Sequence, residues 1–209
     1  MQVEIWSDVI CPWCYIGKRN FEAALAGLPG ASEVTVVWRS FELDPQAPAR
    51  YGETLEQMLS RKYGVSLQEA AAMNARVTAV AASAGLQYRL ADALPGNTLD
   101  AHRILHFALA RQAGGQVMER LMQAYFTEGL PVGERDALVR LAGECGLDTT
   151  EVSAMLESDA YIQEVRADEA RAATLGINSV PHFLIDGRVH VSGAQAVESF
   201  KQALQQAMA

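Results

Sequence analysis

Cys11-Pro12-Trp13-Cys14 sets two thiols three residues apart behind a short apolar strand, a spacing suited to making and breaking a disulfide. If a helix opens at Pro12, whose missing N–H costs nothing at a first helical position, Cys11 becomes the N-cap and Cys14 lies on the same face one turn on. Side chains so placed are close enough to bridge. The free backbone N–H groups and the positive end of the helix dipole then favour negative charge at Cys11. Cys11 is therefore the expected nucleophile, and Cys14 the resolving thiol that attacks a mixed disulfide and releases the product. Around the pair, Trp13 reads as the apolar lip of a substrate groove, Lys18 as a solvated residue, and Asp8 as a charge close enough to tune the site.

A structural zinc centre would need a second pair of ligands. Beside the motif the chain has only Cys145 and four histidines. His102 and His106 stand at i and i+4, but no further ligand set accompanies them, so they read as core or site-lining and no metal is expected. Cys145 falls on an apolar stripe with Leu138, Leu141 and Ala142, where burial disfavours a thiolate.

With 209 residues, half of them apolar, the chain can bury a sizeable core. Its net charge of −8 and lack of a Lys/Arg cluster argue against a nucleic-acid partner. No apolar run approaches a membrane span, and Met1 is followed directly by an alternating strand rather than a signal peptide, so a cytoplasmic location is expected. In a reducing compartment three cysteines make a cycling catalyst more readily than a disulfide scaffold.

The elements that must position this motif follow from periodicity. A strand over residues 2 to 7 leads through the cysteines into a helix ending near Ala26, and a β-branched, aromatic strand follows from Val34 to Phe41. That is a right-handed βαβ unit with parallel strands. From Leu55 onward the pattern is helical for about a hundred residues, with only Leu86-Gln87-Tyr88 ambiguous. Asp148-Thr149-Thr150-Glu151 has the form of a capping box, and Ser158-Asp159 is the expected start of a helix running to Leu175. Strands at 182 to 185 and 188 to 191 flank Asp186-Gly187, a strong hairpin signal, and a last helix carries Val197, Phe200 and Leu204. The expected plan is an α/β domain at residues 1 to 47 and 157 to 209, with an all-helical domain inserted at 48 to 156.

Val180-Pro181 opens the first strand of the hairpin. The bond is either an ordinary loop proline or a cis X-Pro bond beside a site, which would leave the backbone edge at residue 180 free to pair with an extended substrate.

Several stretches together resemble the DsbA family of the thioredoxin superfamily, its FrnE-like branch in particular: Ser7-Asp8 before Cys11 to Lys18, Trp38 to Leu43, Asn97 to Arg103, Gly176 to Phe183, and Ser192 to Gln195. The resemblance implies a thioredoxin fold interrupted by helices, a redox pair at Cys11 and Cys14, and a cis-proline at Pro181 packed against it. It implies thiol-disulfide exchange on protein or peptide substrates, with Pro12, Trp13, Ser179, Val180 and Pro181 contacting them, and no cofactor beyond the redox-active disulfide. Glutathione-dependent isomerases of the hydroxychromene-carboxylate type and kappa-class transferases are similar to this branch but usually carry serine in place of Cys11. That likeness makes glutathione a candidate co-substrate, held at Ser179, Val180 and the Asn97 to His102 stretch. The direction of exchange and the oligomeric state are left open.

Overall fold

The computed structural model describes residues 1 to 208. Its frame is a four-stranded sheet in the order β2-β1-β3-β4, formed among the described residues by β1 (Gln2–Ser7), β2 (Thr35–Ser40), β3 (His182–Ile185) and β4 (Val189–Ser192). β1 pairs parallel with β2 and antiparallel with β3, in a register that sets Ile5 against Trp38 and Phe183. The parallel pair is connected through α1 (Pro12–Ala26), as the βαβ pattern requires.

Side-chain alternation along β1 divides the interior in two. Val3 and Ile5 face α1 and the C-terminal helix α9 (Val197–Met208), where Phe21, Phe183 and Phe200 pack ring against ring with centroids 4.6 to 5.8 Å apart. Trp6 and Leu184 face the opposite side against Ala172 and Ile177. The indole Nε1–H of Trp6 donates to the Asp168 carbonyl at 3.0 Å on α8 (Ile162–Thr174), which covers that face.

Between β2 and α8 the chain builds α2 (Leu55–Tyr63), α3 (Leu67–Ser83), α4 (Leu99–Leu109), α5 (Gly114–Phe126), α6 (Arg135–Glu144) and α7 (Thr149–Glu157). Residues 48 to 156 contribute no strand among the described residues, and Leu86-Gln87-Tyr88 is irregular. Local chemistry sets the helix starts. Thr54 and Ser66 form reciprocal capping boxes with Gln57 and Glu69, and Asp148 accepts the N–H groups of Thr150 and Glu151.

Two boundaries differ from the sequence reading. α8 starts at Ile162 rather than Ser158, after Tyr161 in a left-handed conformation at φ 65°. The buried Arg103 of α4 donates to the carbonyls of Met155 (2.7 Å), Ser158 and Ala160 (2.9 Å), and so fixes this stretch as an irregular link between α7 and α8. In the hairpin, Ile185 pairs with Val189, so Arg188 belongs to the turn. Asp186 and Gly187 take positive φ, and the Arg188 N–H donates to the Ile185 carbonyl at 3.1 Å.

The segment leading from the sheet into α2 is tied to the segment before α4. Tyr51 N–H donates to the Pro95 carbonyl at 3.0 Å and Asn97 N–H to the Pro48 carbonyl at 2.8 Å. Gly96 and Gly133 both lie so close that an added Cβ would fall 2.1 and 2.0 Å from the Ala49 carbonyl oxygen.

Candidate active site

Cys11 is the N-cap of α1 and Pro12 its first residue, so the helix-start geometry expected from the motif is present. The β1-α1 turn is closed by Cys11 N–H to the Asp8 carbonyl (3.1 Å) and Cys14 N–H to the Cys11 carbonyl (3.0 Å). Both cysteines are free thiols and both are buried, Cys11 with 4% and Cys14 with 1% of its surface exposed. Burial, and after it the adjacent Cys11, push the Cys14 thiol well above its ordinary value, while the Ser7 hydroxyl and the Asp8 backbone act in the opposite sense. Cys14 is thus the guarded sulfur. Cys11 sits where the N-terminal dipole favours negative charge.

Across from the pair, the Val180-Pro181 peptide bond is cis, and the Cys11 thiol donates to the Val180 carbonyl at 3.6 Å. Gly17 permits the approach of α1 to this loop, since an added Cβ there would sit 2.9 Å from Pro181 Cγ. Cys11, Pro12, Trp13 and Val180 open onto a groove of about 290 Å³. Its far wall comes from α2 and α3, through residues such as Met58, Leu59, Met73 and Val77. Trp13 is 42% exposed at the rim, a lip position, with Leu43 and Tyr63 also exposed. Within the groove the Asn74 amide nitrogen is buried and has no hydrogen-bond partner among the described residues.

Other residues singled out from sequence are placed elsewhere. Ser179 is exposed and outside the groove lining. Asn97 uses its side chain internally, accepting the Leu99 N–H at 2.9 Å at the start of α4 and donating to the Pro45 carbonyl at 3.3 Å. His102 has no exposed surface, so its ring reaches no ligand in the groove, and it lies 3.4 Å from the Asp8 carboxylate. His106 is paired to Asp168 at 3.1 Å and Ser40 at 3.2 Å. No group of three or more metal-ligating side chains occurs among the described residues.

Lys18 requires a correction. It is buried rather than solvated, with its ammonium between Glu22 (2.6 Å) and Glu119 of α5 (2.5 Å). Burial raises the Glu119 carboxyl, but hydrogen bonds from Lys18, Tyr15 and Arg19 outweigh this and hold it below its usual value. This cluster fastens the back of α1 to the helical region. Tyr88 fastens the front by donating its hydroxyl to the Pro12 carbonyl at 2.7 Å. No sequence signal links these residues to the motif, because their partners lie 76 and 101 residues away. Asp8, a carboxylate followed by the apolar Val9 and Ile10, was the one visible hint of a polar group behind the site.

Comparison with known proteins agrees with this geometry. The model of the DSBA-like thioredoxin domain matches residues 2–205. A probable DsbA oxidoreductase from Streptomyces coelicolor superposes with a TM-score of 0.95 at 46% identity, covering 100% of this chain and 90% of that one. The cytosolic disulfide reductase DsbM from Pseudomonas aeruginosa, solved with GSH, has the same fold at a TM-score of 0.65 and 19% identity, covering 100% and 99%. A protein of Bacillus subtilis named YwbO is 28% identical over 98% of this chain and 96% of its own length. With two free thiols at a helix start and a family model spanning nearly the whole chain, the protein belongs to the DsbA-like thioredoxin family of thiol-disulfide oxidoreductases.

Proposed function

We propose that the chain exchanges disulfides with protein or peptide substrates, Cys11 attacking and Cys14 resolving. The observation that carries this reading is the contrast between the sulfurs. Cys11 lies at the helix start on the groove and Cys14 is sealed beneath it. In the dithiol form, Cys11 attacks a substrate sulfur, the substrate disulfide breaks, and one substrate thiol leaves. Cys14 then attacks the mixed disulfide at Cys11, closing the enzyme disulfide and freeing the second thiol. The oxidised enzyme runs the same steps backwards. The groove's methionines and aliphatic side chains suit an apolar side chain next to the substrate cysteine. The Val180 backbone offers an edge for an extended strand.

Glutathione is the second reading. The P. aeruginosa relative was solved with GSH, and the unpaired Asn74 amide with Lys62 at the groove gives a peptide carboxylate two donors. Insulin reduction and refolding of scrambled ribonuclease, run beside glutathione-conjugation and isomerase assays, separate the two. Protein exchange that is lost in Cys11→Ser, with a trapped mixed disulfide in Cys14→Ser, is expected. Activity in the glutathione assays alone, or full exchange by Cys11→Ser, would refute the proposal.

A further inference from the structure

Tyr88 reaches the start of α1 from the irregular link between α3 and α4, and its hydroxyl donates to the Pro12 carbonyl at 2.7 Å. The residue is buried. Its neighbours in the chain are pinned. Leu86 N–H donates to the Ala81 carbonyl at 2.9 Å, Arg89 N–H donates to the Phe126 carbonyl at 2.7 Å, and the Gln87 carbonyl accepts the Thr127 hydroxyl at 2.9 Å. The ring stacks on Phe126, with centroids 4.6 Å and planes 19° apart, and on Tyr15 of α1 at 6.2 Å and 22°. A phenol held by its ring and on both sides of its backbone has little freedom left, so its O–H is aimed at α1 before any reaction begins.

The Pro12 carbonyl does not need the phenol for its own sake, because a first-turn carbonyl of an α-helix already accepts the N–H four residues on. What the O–H adds is positive charge against the partial negative charge of an oxygen one residue from Cys11. Burial, and after it Cys11, Tyr15 and Cys14, push the Tyr88 hydroxyl well above its usual value, with Arg19 acting in the opposite sense. The phenol therefore remains a neutral donor throughout the range in which the thiols exchange. Behind Tyr15 stand the remaining charged groups of this face, Lys18 of α1 and Glu119 of α5, which pair with each other.

We propose that Tyr88 is a positioning residue for Cys11, holding the Pro12 carbonyl so that the start of α1 presents more positive charge to the sulfur and favours its reduced, charged state. The proposal rests on the exchange reading above. Its consequence is that a residue of the helical region sets the reactivity of a thiol belonging to the βαβ unit. Phe126, on which Tyr88 is stacked, also lines the groove beside Cys11. One fixed aromatic pair thus shapes the substrate wall and tunes the nucleophile that faces it.

The test uses the full chain. Tyr88→Phe keeps the stacked ring and removes only the hydroxyl, while Tyr88→3-fluorotyrosine keeps the hydroxyl as a stronger donor. In Tyr88→Phe the pH at which iodoacetamide alkylation of Cys11 is half-maximal should rise, by the equivalent of a thiolate roughly two- to tenfold less favoured, the range one ordinary hydrogen bond gives. The equilibrium with glutathione and its disulfide should shift by a similar factor toward the Cys11–Cys14 disulfide, because the dithiol form has lost stabilisation. The fluorinated variant should move both quantities the opposite way. Both quantities unmoved in both variants would overturn the proposal, and so would a fall in melting temperature alone, the mark of a purely structural role. If Tyr88→Phe does not fold, the fluorinated variant decides on the same two readings. Absence of exchange with glutathione disulfide in the unaltered chain would overturn the exchange reading itself, whereas exchange with unmoved variants would leave that reading standing and remove only the role of Tyr88.

Discussion

At Gly17, α1 and the Val180-Pro181 loop come into direct contact, and a methyl group there would also meet Phe183 Cζ at 3.5 Å. Gly17→Ala must displace Pro181, at a cost of about 1 to 3 kcal/mol for overpacking. The melting temperature should fall by about 2 to 4 °C per kcal/mol in a chain of this size, and insulin reduction should slow as the loop moves from Cys11. An unchanged rate would show that the loop does not position the substrate. The thiols give a second expectation. Burial raises both Cys14 and Cys145, so at any pH below their titration each has a smaller thiolate fraction than an ordinary cysteine, and that fraction grows as pH rises. Iodoacetamide at pH 6 should label Cys11 first, with Cys145 protected until unfolding. Equal labelling of Cys145 would contradict the helix-start argument. The placing of Cys11 and Cys14 at a helix start was legible in the sequence because that geometry is local, with spacing, proline and helix start inside one turn. Lys18 was not, because whether a lysine is solvated depends on what packs over it, and Glu119 arrives from a distant helix.

The helix start at Asp148 was legible because a side chain makes it, whereas the caps at Thr54 and Ser66 emerge only in the structure. The start of α8 was misplaced because Ser158 resembles a cap but closes α7, and Arg103 from another helix takes the carbonyls in between. Arg103→Met should therefore be costly. It removes a buried guanidinium that donates to the carbonyls of Met155, Ser158 and Ala160 and pairs with Asp100, a loss of roughly 3 kcal/mol or more, measurable by urea denaturation. The β3-β4 hairpin carries a pH dependence of its own. His182 and His190 meet at 2.9 Å, and burial followed by the His190 charge lowers the His182 pKa from 6.5. The folded state therefore binds this proton more weakly than the unfolded chain. Stability is full above about pH 6.5 and declines as pH falls toward the folded value. The acid-side fall in melting temperature should be shallower in His182→Gln, and an unchanged slope would assign it to other groups.

Taken whole, the molecule has one main core. Val3 and Ile5 of the sheet, Ile104 and Leu105 of α4, and Phe200 of α9 belong to a single buried cluster. We propose residues 48 to 156 as an insertion in the chain path, but its apolar surface is shared with the sheet. Calorimetry should show one unfolding transition with matching calorimetric and van't Hoff enthalpies, and two resolved transitions would contradict it. No helix among the described residues is long and apolar enough to cross a membrane. The division into sheet and helices could be read from periodicity. The groove could not, because it exists only where Trp13 and Val180 come to face Met58 and Met73 across that shared surface. The ties between residues 48 to 51 and 95 to 97, with the Ala49 carbonyl held close to Gly96 and Gly133, bear on how fast and how selectively this groove can fill. Leu43, Asp44 and Ala47 stand just before those ties, so one wall is rigid before any substrate arrives. A rigid wall loses little conformational entropy on association. Capture should follow a single bimolecular phase, linear in peptide concentration with no saturating isomerisation step. The amides of Tyr51 and Asn97 should exchange as slowly in the free protein as in the complex.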